Sequence, residues 1–342
     1  MRRSGRSSDT LARCVVVAVL CFSGCTTSGS PGAGSATVSV DEHASEPTVV
    51  VDGLDHPTQI ANGPGATLLV AQLAGGENDR SGEVVVVDVA AGTRRIVLRD
   101  LDKPTGVLWD RGVLWVMVRR GIVRADWPDA AADVGPTAVV LQDLPYNGRS
   151  EGTLTLLDDG RILYETSGNI IGGTVEEGSG TLWAFDPATN TSSVVATGIK
   201  NGYAHAVLGD GRIVTTDIGD NIANPPVEEV DVLPPRASDV DLGWPRCPGD
   251  TDCAGVVGPL AVFAPASTPT GVAVVGDDVY VALFVTGQLM RVSIAGWSAG
   301  DTRVAPVGIV NGLTGPHTIL ARPDGTLWIS EHLAGRIVAI TP

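Results

Sequence analysis

The sequence has little positive charge. Its 342 residues include 23 Lys and Arg against 39 Asp and Glu, so the formal net charge is −16 at pH 7. Because binding to nucleic-acid phosphates needs a surface rich in Lys and Arg, this balance argues against a nucleic-acid partner. Charged residues of both signs make up only 18% of the chain and hydrophobic residues 43%, a composition too apolar for an intrinsically disordered protein.

Hydrophobic runs long enough to cross a membrane are also missing. Residues 14–22 (CVVVAVLCF) form a run of about nine apolar residues, where a membrane-spanning helix needs roughly 20. Arg2, Arg3, Arg6 and Arg13 precede this run. Residues 1–24 are therefore predicted to be a secretory signal peptide.

The signal ends in residues 22–25 (FSGC), which resemble a bacterial lipobox. In such signals the cysteine is lipidated and becomes the new N-terminus. Cys25 is therefore predicted to anchor the protein, through lipid alone, to the extracytoplasmic face of a bacterial cell membrane. The alternative is ordinary secretion with an incidental cysteine. Residues 25–46 are rich in Ser, Gly and Thr and are predicted to be a flexible tether.

Only five cysteines are present. Cys14 and Cys21 leave with the signal, and Cys25 takes the lipid. Cys247 and Cys253 remain, close together in an exported chain, and are predicted to form a local disulfide. A metal site is the weaker interpretation of this pair, because no second Cys/His pair lies nearby in the sequence.

Glycine (43) and proline (22) are abundant, which favours short strands joined by turns over long helices. From residue 47 onward the chain repeats one pattern of four short apolar strands. The polar bends that open successive copies end at residues 57, 104, 147, 202, 269 and 316. Four strands per roughly 50 residues, six times over, predict an all-β, six-bladed β-propeller.

The propeller is predicted to occupy residues 47–342 as a single domain and to be a monomer. The apolar residues 48–53 precede any complete blade, so we expect them to form the outer strand of the last blade and close the ring. Residues 169–180 and 217–259 interrupt the pattern. Such excursions are expected to cover the mouth of the central channel, where a small-molecule or carbohydrate ligand would bind.

Four segments carry a resemblance to a known family. They are residues 149–154 (RSEGTL), 199–202 (IKNG), 216–221 (TDIGDN) with 227–230 (VEEV), and 243–245 (GWP) followed by Cys247. In this order they resemble segments of the soluble glucose/sorbosone dehydrogenases, six-bladed propellers that use pyrroloquinoline quinone (PQQ) and Ca²⁺. The resemblance runs over most of residues 48–342, and GWP is its most specific part.

The resemblance implies roles for particular residues. Those implied at the PQQ site are Lys200, Asn201, Gly219, Glu228 and Trp244. Those implied near Ca²⁺ are Asp217, Gly219 and Asp220. Arg149 stands where the family has its catalytic His, and a guanidinium cannot accept a hydroxyl proton.

Other residues offer substitutes for that base or a different chemistry. His56, His205 and His317 fall near the bends that open blades, and one of them is a candidate base, His205 first. Glu151, Asn201 and Asp217 carry oxygens that suit a hard divalent cation. Such a set resembles the metal site of gluconolactonase-type lactonases, which are also six-bladed propellers.

Three functional hypotheses follow. The first is PQQ-dependent oxidation of a sugar or polyol hydroxyl. The second is a propeller without catalysis, which binds a glycan, a small molecule or a protein at its channel mouth. The third is a metal-dependent lactonase. The Arg at position 149 favours the second hypothesis, and the GWP element favours the first.

Overall fold

The computed structural model describes residues 44–76, 78–149, 151–219, 227–249, 253–298 and 300–342. Over these ranges the chain folds into short β-strands without an α-helix, and no helix in them is long and apolar enough to span a membrane. Most of the strands form six sheets arranged as the blades of a β-propeller, as the repeat predicts.

The first three blades follow one another along the chain. Strand β1 (Thr48–Val51) precedes them and joins none of their sheets. The first blade contains β2 (Pro57–Asn62), β3 (Leu68–Gln72), β4 (Gly82–Asp88) and β5 (Thr93–Leu101). The second contains β6 (Gly106–Asp110), β7 (Val113–Val118), β8 (Gly121–Asp126) and β9 (Ala138–Leu141). The third begins with β10 (Thr155–Leu156) and β11 (Ile162–Thr166) and, after a hairpin of β12 (Ile170–Ile171) and β13 (Thr174–Val175), ends with β14 (Thr181–Asp186) and β15 (Thr191–Thr197).

The remaining blades repeat this arrangement. The fourth contains β16 (His205–Val207), β17 (Ile213–Asp217), β18 (Glu228–Leu233) and, after the two-residue β19 (Val240–Asp241), β20 (Ala261–Phe263). The fifth contains β21 (Pro269–Val275), β22 (Asp278–Leu283), β23 (Gln288–Ser293) and β24 (Val307–Asn311). The sixth contains β25 (Pro316–Ala321), β26 (Leu327–Glu331) and β27 (Arg336–Ile340). Strand β19 pairs in parallel with β15 and so belongs to the sheet of the third blade.

The ring closes through the N-terminal strand. β1 pairs antiparallel with β27, with Thr48 opposite Ala339, and becomes the outer strand of the sixth blade. Just before it, the Ser45 backbone N–H donates to the Thr341 carbonyl at 2.9 Å. The prediction that residues 48–53 complete the last blade is confirmed.

The period of two along each strand explains how the blades pack. In β4, Val84 and Val86 pack against the second blade. Val85 and Val87 face the other way and pack in a cluster with Ile337 of the sixth blade. Successive side chains of a strand point to opposite faces, and here both faces are covered by a neighbouring blade. A blade strand is therefore apolar on both faces, and burial of these side chains is what holds the ring together.

Threonine hydroxyls link the innermost strands of neighbouring blades. The bonds are Thr58 Oγ1 to the Pro104 carbonyl (3.0 Å), Thr105 Oγ1 to the Gly152 carbonyl (3.1 Å), Thr270 Oγ1 to the Pro316 carbonyl (3.0 Å) and Thr318 Oγ1 to the Thr58 carbonyl (2.9 Å). Three of these threonines follow the proline that ends a bend in the sequence repeat. The repeated Pro-Thr pair thus has a structural role, because it places a buried donor where the next blade presents a carbonyl.

The expectation that residues 217–259 form one excursion is corrected. β18 lies within them and is the buried third strand of the fourth blade, paired with β17 and β20. Because β18 contains Glu228, Glu229 and Asp231, it does not show the apolar pattern of the other strands. Later in the segment, Cys247 and Cys253 form the predicted disulfide.

Antiparallel order places one set of loops at one end of the ring. The innermost strands (β2, β6, β10, β16, β21 and β25) begin at that end, and the second strands (β3, β7, β11, β17, β22 and β26) finish there. We call this end the mouth. Because inner strands of different blades contact one another around the channel, side chains at the mouth can meet across it.

Candidate functional site

A group of aromatic and imidazole rings from four blades meets at the mouth. The rings of His317 and His332 stack with centroids 5.1 Å apart and planes 22° apart. His56 approaches His332 edge-on, also at 5.1 Å. Phe284 lies 5.8 Å from both His317 and His332. We call these four residues, with Tyr203, the ring cluster.

Tyr203 connects this cluster to the far side of the mouth. Its hydroxyl lies 3.2 Å from His317 Nε2. Tyr203 precedes β16 of the fourth blade and His317 is on β25 of the sixth, so the contact passes over the fifth blade, which separates them in the ring. The pair therefore links the fourth and sixth blades at the mouth.

His317 is the neutral base of the ring cluster. Burial, and then the neighbouring His332, hold the pKa of His317 well below its usual value. His332 Nδ1 lies 3.1 Å from the Pro57 carbonyl, which can only accept, so this nitrogen carries the hydrogen. A neutral imidazole can accept a proton or a hydrogen bond from a ligand hydroxyl, which Arg149 cannot do.

Carboxyl groups line the mouth between the third and fourth blades. Glu151 and Glu165 are fully buried. Burial raises the pKa of both far above the usual value; Lys103 opposes the shift at Glu151, and the charge of Glu151 adds to the shift at Glu165. Glu228 is buried on the other side of the fourth blade, toward the fifth. Burial raises its pKa to about 7, although the backbone N–H groups of Gly219, Ala266 and Thr268 oppose the shift.

Asp217 supports the turn that carries Lys200 and Asn201. Its Oδ2 accepts the backbone N–H of Lys200 at 2.8 Å, and its Oδ1 accepts that of Asn201 at 2.7 Å. Burial raises the pKa of Asp217 to about 7 against the effect of these two donors. Both oxygens of Asp217 are thus engaged by the backbone of its own blade.

Lys200 and Trp244 pack on each other beside the third blade. The Lys200 ammonium donates to the Gly168 carbonyl at 2.7 Å and lies 5.2 Å from the Trp244 ring centre. Trp244 is buried against Gly168, where an added Cβ would lie 2.6 Å from the ring. Trp244 therefore anchors the segment that follows β19. An added Cβ at Gly219 would lie 2.2 Å from the Val227 carbonyl oxygen, so close backbone packing requires this glycine.

Cations gather on the mouth between the second and third blades. Arg119 bonds to Asp102 at 2.9 Å and to the Tyr146 hydroxyl at 3.2 Å. Arg120 donates to the Leu144 carbonyl at 3.0 Å. Arg149 is exposed on this rim. The mouth thus has a cationic side, an acidic side and an aromatic side.

The structure brings together part of the predicted site. Glu151, Lys200, Asn201 and Asp217 lie on the same side of the mouth, and His56 and His317 belong to the ring cluster. His205 does not join them: it faces Thr215 across β16 and β17, and burial lowers its pKa to about 3. Asp220 and Cys25 lie outside the described residues.

Sequence reasoning missed Glu165, Ser167, Tyr203 and Phe284. Glu165 and Ser167 are polar residues at the end of an otherwise apolar strand, which is a usable signal of a site at the mouth. Tyr203 follows a recognised bend directly. Nothing in the local sequence marks Phe284, because its ring contacts depend on the meeting of the fifth and sixth blades.

Residues 148–152 (GRSEG) match the Gly-x-Ser-x-Gly motif of the nucleophile elbow found in hydrolases. That motif places its serine on a turn from a strand into a helix. Here the segment leads into β10, and no helix follows among the residues described. Ser150 itself lies outside them. The structural context of a nucleophile elbow is therefore not met.

Comparisons with known proteins agree on the fold. No family model matches the sequence, and no curated protein matches it. Among solved structures, a candidate oxidoreductase (glucose dehydrogenase) of Thermus thermophilus is 17% identical with a TM-score of 0.71, over 86% of this chain and 99% of that one. The PQQ-bound aldose sugar dehydrogenase of Streptomyces coelicolor is 17% identical with a TM-score of 0.71, over 89% and 99%. A candidate gluconolactonase is 14% identical with a TM-score of 0.56, over 88% and 93%.

These likenesses define the chain as a six-bladed β-propeller of the architecture found in PQQ-dependent sugar dehydrogenases. At such low identity they establish the fold alone. The cofactor that this fold implies is PQQ, and the residues at the mouth decide whether it fits.

The residues at the mouth do not fit PQQ, which carries three carboxylates. Among the five residues implied at its site, Lys200 is the one cation, and its ammonium already bonds to Gly168. Glu151 and Glu165 lie on the same side as Lys200, with Glu228 next to them toward the fifth blade, and all three would face a tricarboxylate with buried acids. The cations of the mouth lie instead between the second and third blades, where Arg119 bonds to Asp102 and Arg120 to the Leu144 carbonyl. No set of three His, Cys, Asp or Glu side chains that could hold a metal ion occurs within the described ranges.

Proposed function

We propose that this protein is a propeller that binds a neutral, polyhydroxylated small molecule, a sugar or polyol, at its mouth without using PQQ. The ring cluster carries the proposal. Flat rings pack against the C–H faces of such ligands. His56, Phe284 and His332 are the half-buried members of the cluster, and the buried Tyr203 holds His317 beside them. The lowered pKa of His317 keeps the buried part of the cluster uncharged, which favours a neutral ligand.

The sugar dehydrogenase neighbours support the ligand class. Two of them are named for glucose and aldose sugars, and they share this architecture over most of their length. Fold alone does not settle function, so the choice of a sugar rests on the ring cluster first and on the neighbours second.

PQQ-dependent sugar oxidation is the second candidate, favoured by the PQQ-bound neighbour from Streptomyces coelicolor. It needs a proton acceptor near the substrate and cations for the cofactor. His317 is suited to the first requirement, but the acidic side of the mouth opposes the second. A lactonase that binds metal through Glu151, Asn201 and Asp217 is weaker still, because both oxygens of Asp217 hold backbone N–H groups.

Saturation-transfer NMR and calorimetry with a panel of aldoses and polyols test the proposed function. We expect binding by the wild type and at least a tenfold weaker affinity for Phe284→Ala and Tyr203→Phe. Val139→Ala is the matched control, because Val139 is exposed on the outer strand β9, far from the mouth. The absence of binding across the panel, or equal binding by all variants, contradicts the proposal.

A PQQ and Ca²⁺ titration with dye-linked turnover separates the two candidates. We expect little or no PQQ-dependent sugar oxidation by the wild type, and none gained with added Ca²⁺. Robust turnover that is lost in His317→Asn would instead establish the dehydrogenase and identify its base.

We also propose that the protein is exported and held at the membrane by lipid on Cys25. The Cys247–Cys253 disulfide supports an oxidising compartment. Ser45 lies beside Thr341, at the end of the ring opposite the mouth, so the chain enters the propeller away from the proposed binding site. An intact mass of membrane-derived protein without acyl groups at Cys25 would contradict the anchor.

A further inference from the structure

Ser167 is the centre of a buried group of oxygen atoms beneath the acidic side of the mouth. Its hydroxyl donates to Asn201 Oδ1 at 2.7 Å and lies 3.5 Å from Glu165 Oε1. Its backbone N–H is directed at the Glu151 carboxyl group, although neither oxygen there reaches hydrogen-bond geometry. Ser167, Glu151 and Glu165 have no exposed surface, and Asn201 has only 7%.

Three carboxylate oxygens of this group lack a hydrogen-bond partner in the part of the chain that the structure describes. They are both oxygens of Glu151 and Oε2 of Glu165. Burying a polar group without a partner costs free energy, and burying an unpaired carboxylate costs more. Two such side chains together need either protons or a bound cation.

The fold makes room for Glu165. A Cβ added at Gly152 would lie 3.0 Å from Glu165 Cγ, and one added at Gly202 would lie 3.4 Å from Glu165 Oε2. Both glycines stand next to residues of the group, Glu151 and Asn201, on the chain that leads into the inner strands of blades three and four. The side chain thus fills a space that these two glycines leave between neighbouring blades.

The chemistry of the group selects one class of ligand. Two carboxylates, one amide oxygen and one hydroxyl are all oxygen donors, and oxygen-only sites suit hard cations such as Ca²⁺. Lys103, Arg120 and Arg119 offset charge at Glu151, whereas the charged groups that act on Glu165 are the acids Glu151 and Asp217. A cation bound at Glu165 would therefore meet acidic neighbours.

We infer that Glu151, Glu165, Ser167 and Asn201 bind a divalent cation of the Ca²⁺ class between the third and fourth blades. This group differs from the residues that the dehydrogenase resemblance implies for calcium, Asp217, Gly219 and Asp220. It shares Glu151 and Asn201 with the lactonase-like set but replaces Asp217, whose oxygens are engaged, by Glu165 and Ser167. The inference does not depend on the proposed sugar site.

Terbium luminescence tests the site, because Tb³⁺ replaces Ca²⁺ and is sensitised by a nearby tryptophan. Trp244 packs on Gly168, the residue next to Ser167. In EDTA-treated, dialysed full-length protein we expect Tb³⁺ emission on tryptophan excitation, competed by Ca²⁺. Glu165→Gln and Glu151→Gln should each weaken binding at least tenfold, and Ser167→Ala should weaken it less.

Two controls keep the result specific. Asp231→Asn removes another fully buried, unpartnered acid from the fourth blade and should leave the emission unchanged. Trp244→Phe should abolish the emission but keep the rise in melting temperature that Ca²⁺ causes. Equal Tb³⁺ binding by Glu165→Gln and the wild type, or no metal binding by any chain, would overturn the proposal and leave bound protons or water as the partners of these oxygens.

Proton release gives an independent readout. Metal binding requires ionised carboxylates, so Ca²⁺ must displace the protons that burial retains on Glu151 and Glu165. We expect calorimetry at pH 6 in buffers of different ionisation enthalpy to show protons released on Ca²⁺ binding, and fewer released by Glu165→Gln. Binding without proton release would place the metal elsewhere and overturn the assignment.

Discussion

Glu165 is a single residue whose ionisation is disfavoured by the fold. It lies on the second strand of the third blade, opposite Leu182 and with no exposed surface. Burial and the charges of Glu151 and Asp217 raise its pKa, so the carboxyl holds its proton in the folded state at pH values where it is ionised in the unfolded chain. Folding then retains a proton that unfolding releases.

This residue therefore makes stability depend on pH in a definite direction. A group whose folded pKa is raised contributes fully below its unfolded pKa, near 4.5, and the contribution is lost as pH rises toward the folded value. In EDTA we expect the free energy of unfolding to fall between pH 5 and pH 7, and to fall less in Glu165→Gln. Denaturant melts at several pH values measure it, with the exposed Glu177→Gln as control. An unchanged pH slope in Glu165→Gln would refute the assignment.

At the scale of the element, the inner strands carry the connections between blades. Each apolar strand face packs on a neighbour, but apolar packing alone does not fix how far one blade slides past the next. The threonine hydroxyls described above add a directional contact at four of the six blade interfaces, and they lie at the end of the strand nearest the mouth. They therefore help to set the geometry of the mouth.

Replacing these threonines with valine keeps shape and removes the donor. A typical buried hydrogen bond contributes about 0.5–1.5 kcal/mol, and the carbonyl left behind is unsatisfied. We expect Thr105→Val and Thr270→Val each to destabilise the protein by about 1 kcal/mol, measured by urea unfolding. Thr93→Val, on the exposed start of the outer strand β5, should change stability by less than about 0.5 kcal/mol. Equal effects at all three positions would remove the role assigned to the hydroxyls.

At the scale of the whole molecule, closure of the ring depends on four residues far from the rest of their blade in sequence. β1 completes the sixth blade, and Val51 at its end is buried in the core between the first and sixth blades. Without this strand, β27 becomes a free edge and part of that core is exposed.

Two shortened chains test closure. A chain that begins at residue 44 keeps β1, and one that begins at residue 53 loses it. We expect the first to melt like the mature protein and the second to melt much lower or to aggregate, as followed by circular dichroism and light scattering. Equal melting temperatures would show that the blade does not need its fourth strand.

The sequence by itself determined the architecture of this protein. Six copies of one apolar pattern, separated by Pro, Gly and Asp-Gly turns, specify six blades. Each blade has two apolar faces, which are buried only when neighbouring blades pack on them. The unpaired first strand specifies how the ring closes. These features are local and periodic, so they are visible without coordinates, and so are the paired cysteines and the turn that holds Lys200 and Asn201.

Tertiary structure decided which side chains meet at the mouth. His317 and Tyr203 are 114 residues apart and touch because the ring brings blades four and six to one channel. His205, which begins β16 just after a similar bend, is buried opposite Thr215 and does not join the ring cluster. The strand β18 escaped detection because its acids interrupt the apolar pattern. Glu151 and Glu165 are candidate cation ligands because they are buried between blades. No local sequence pattern shows that burial.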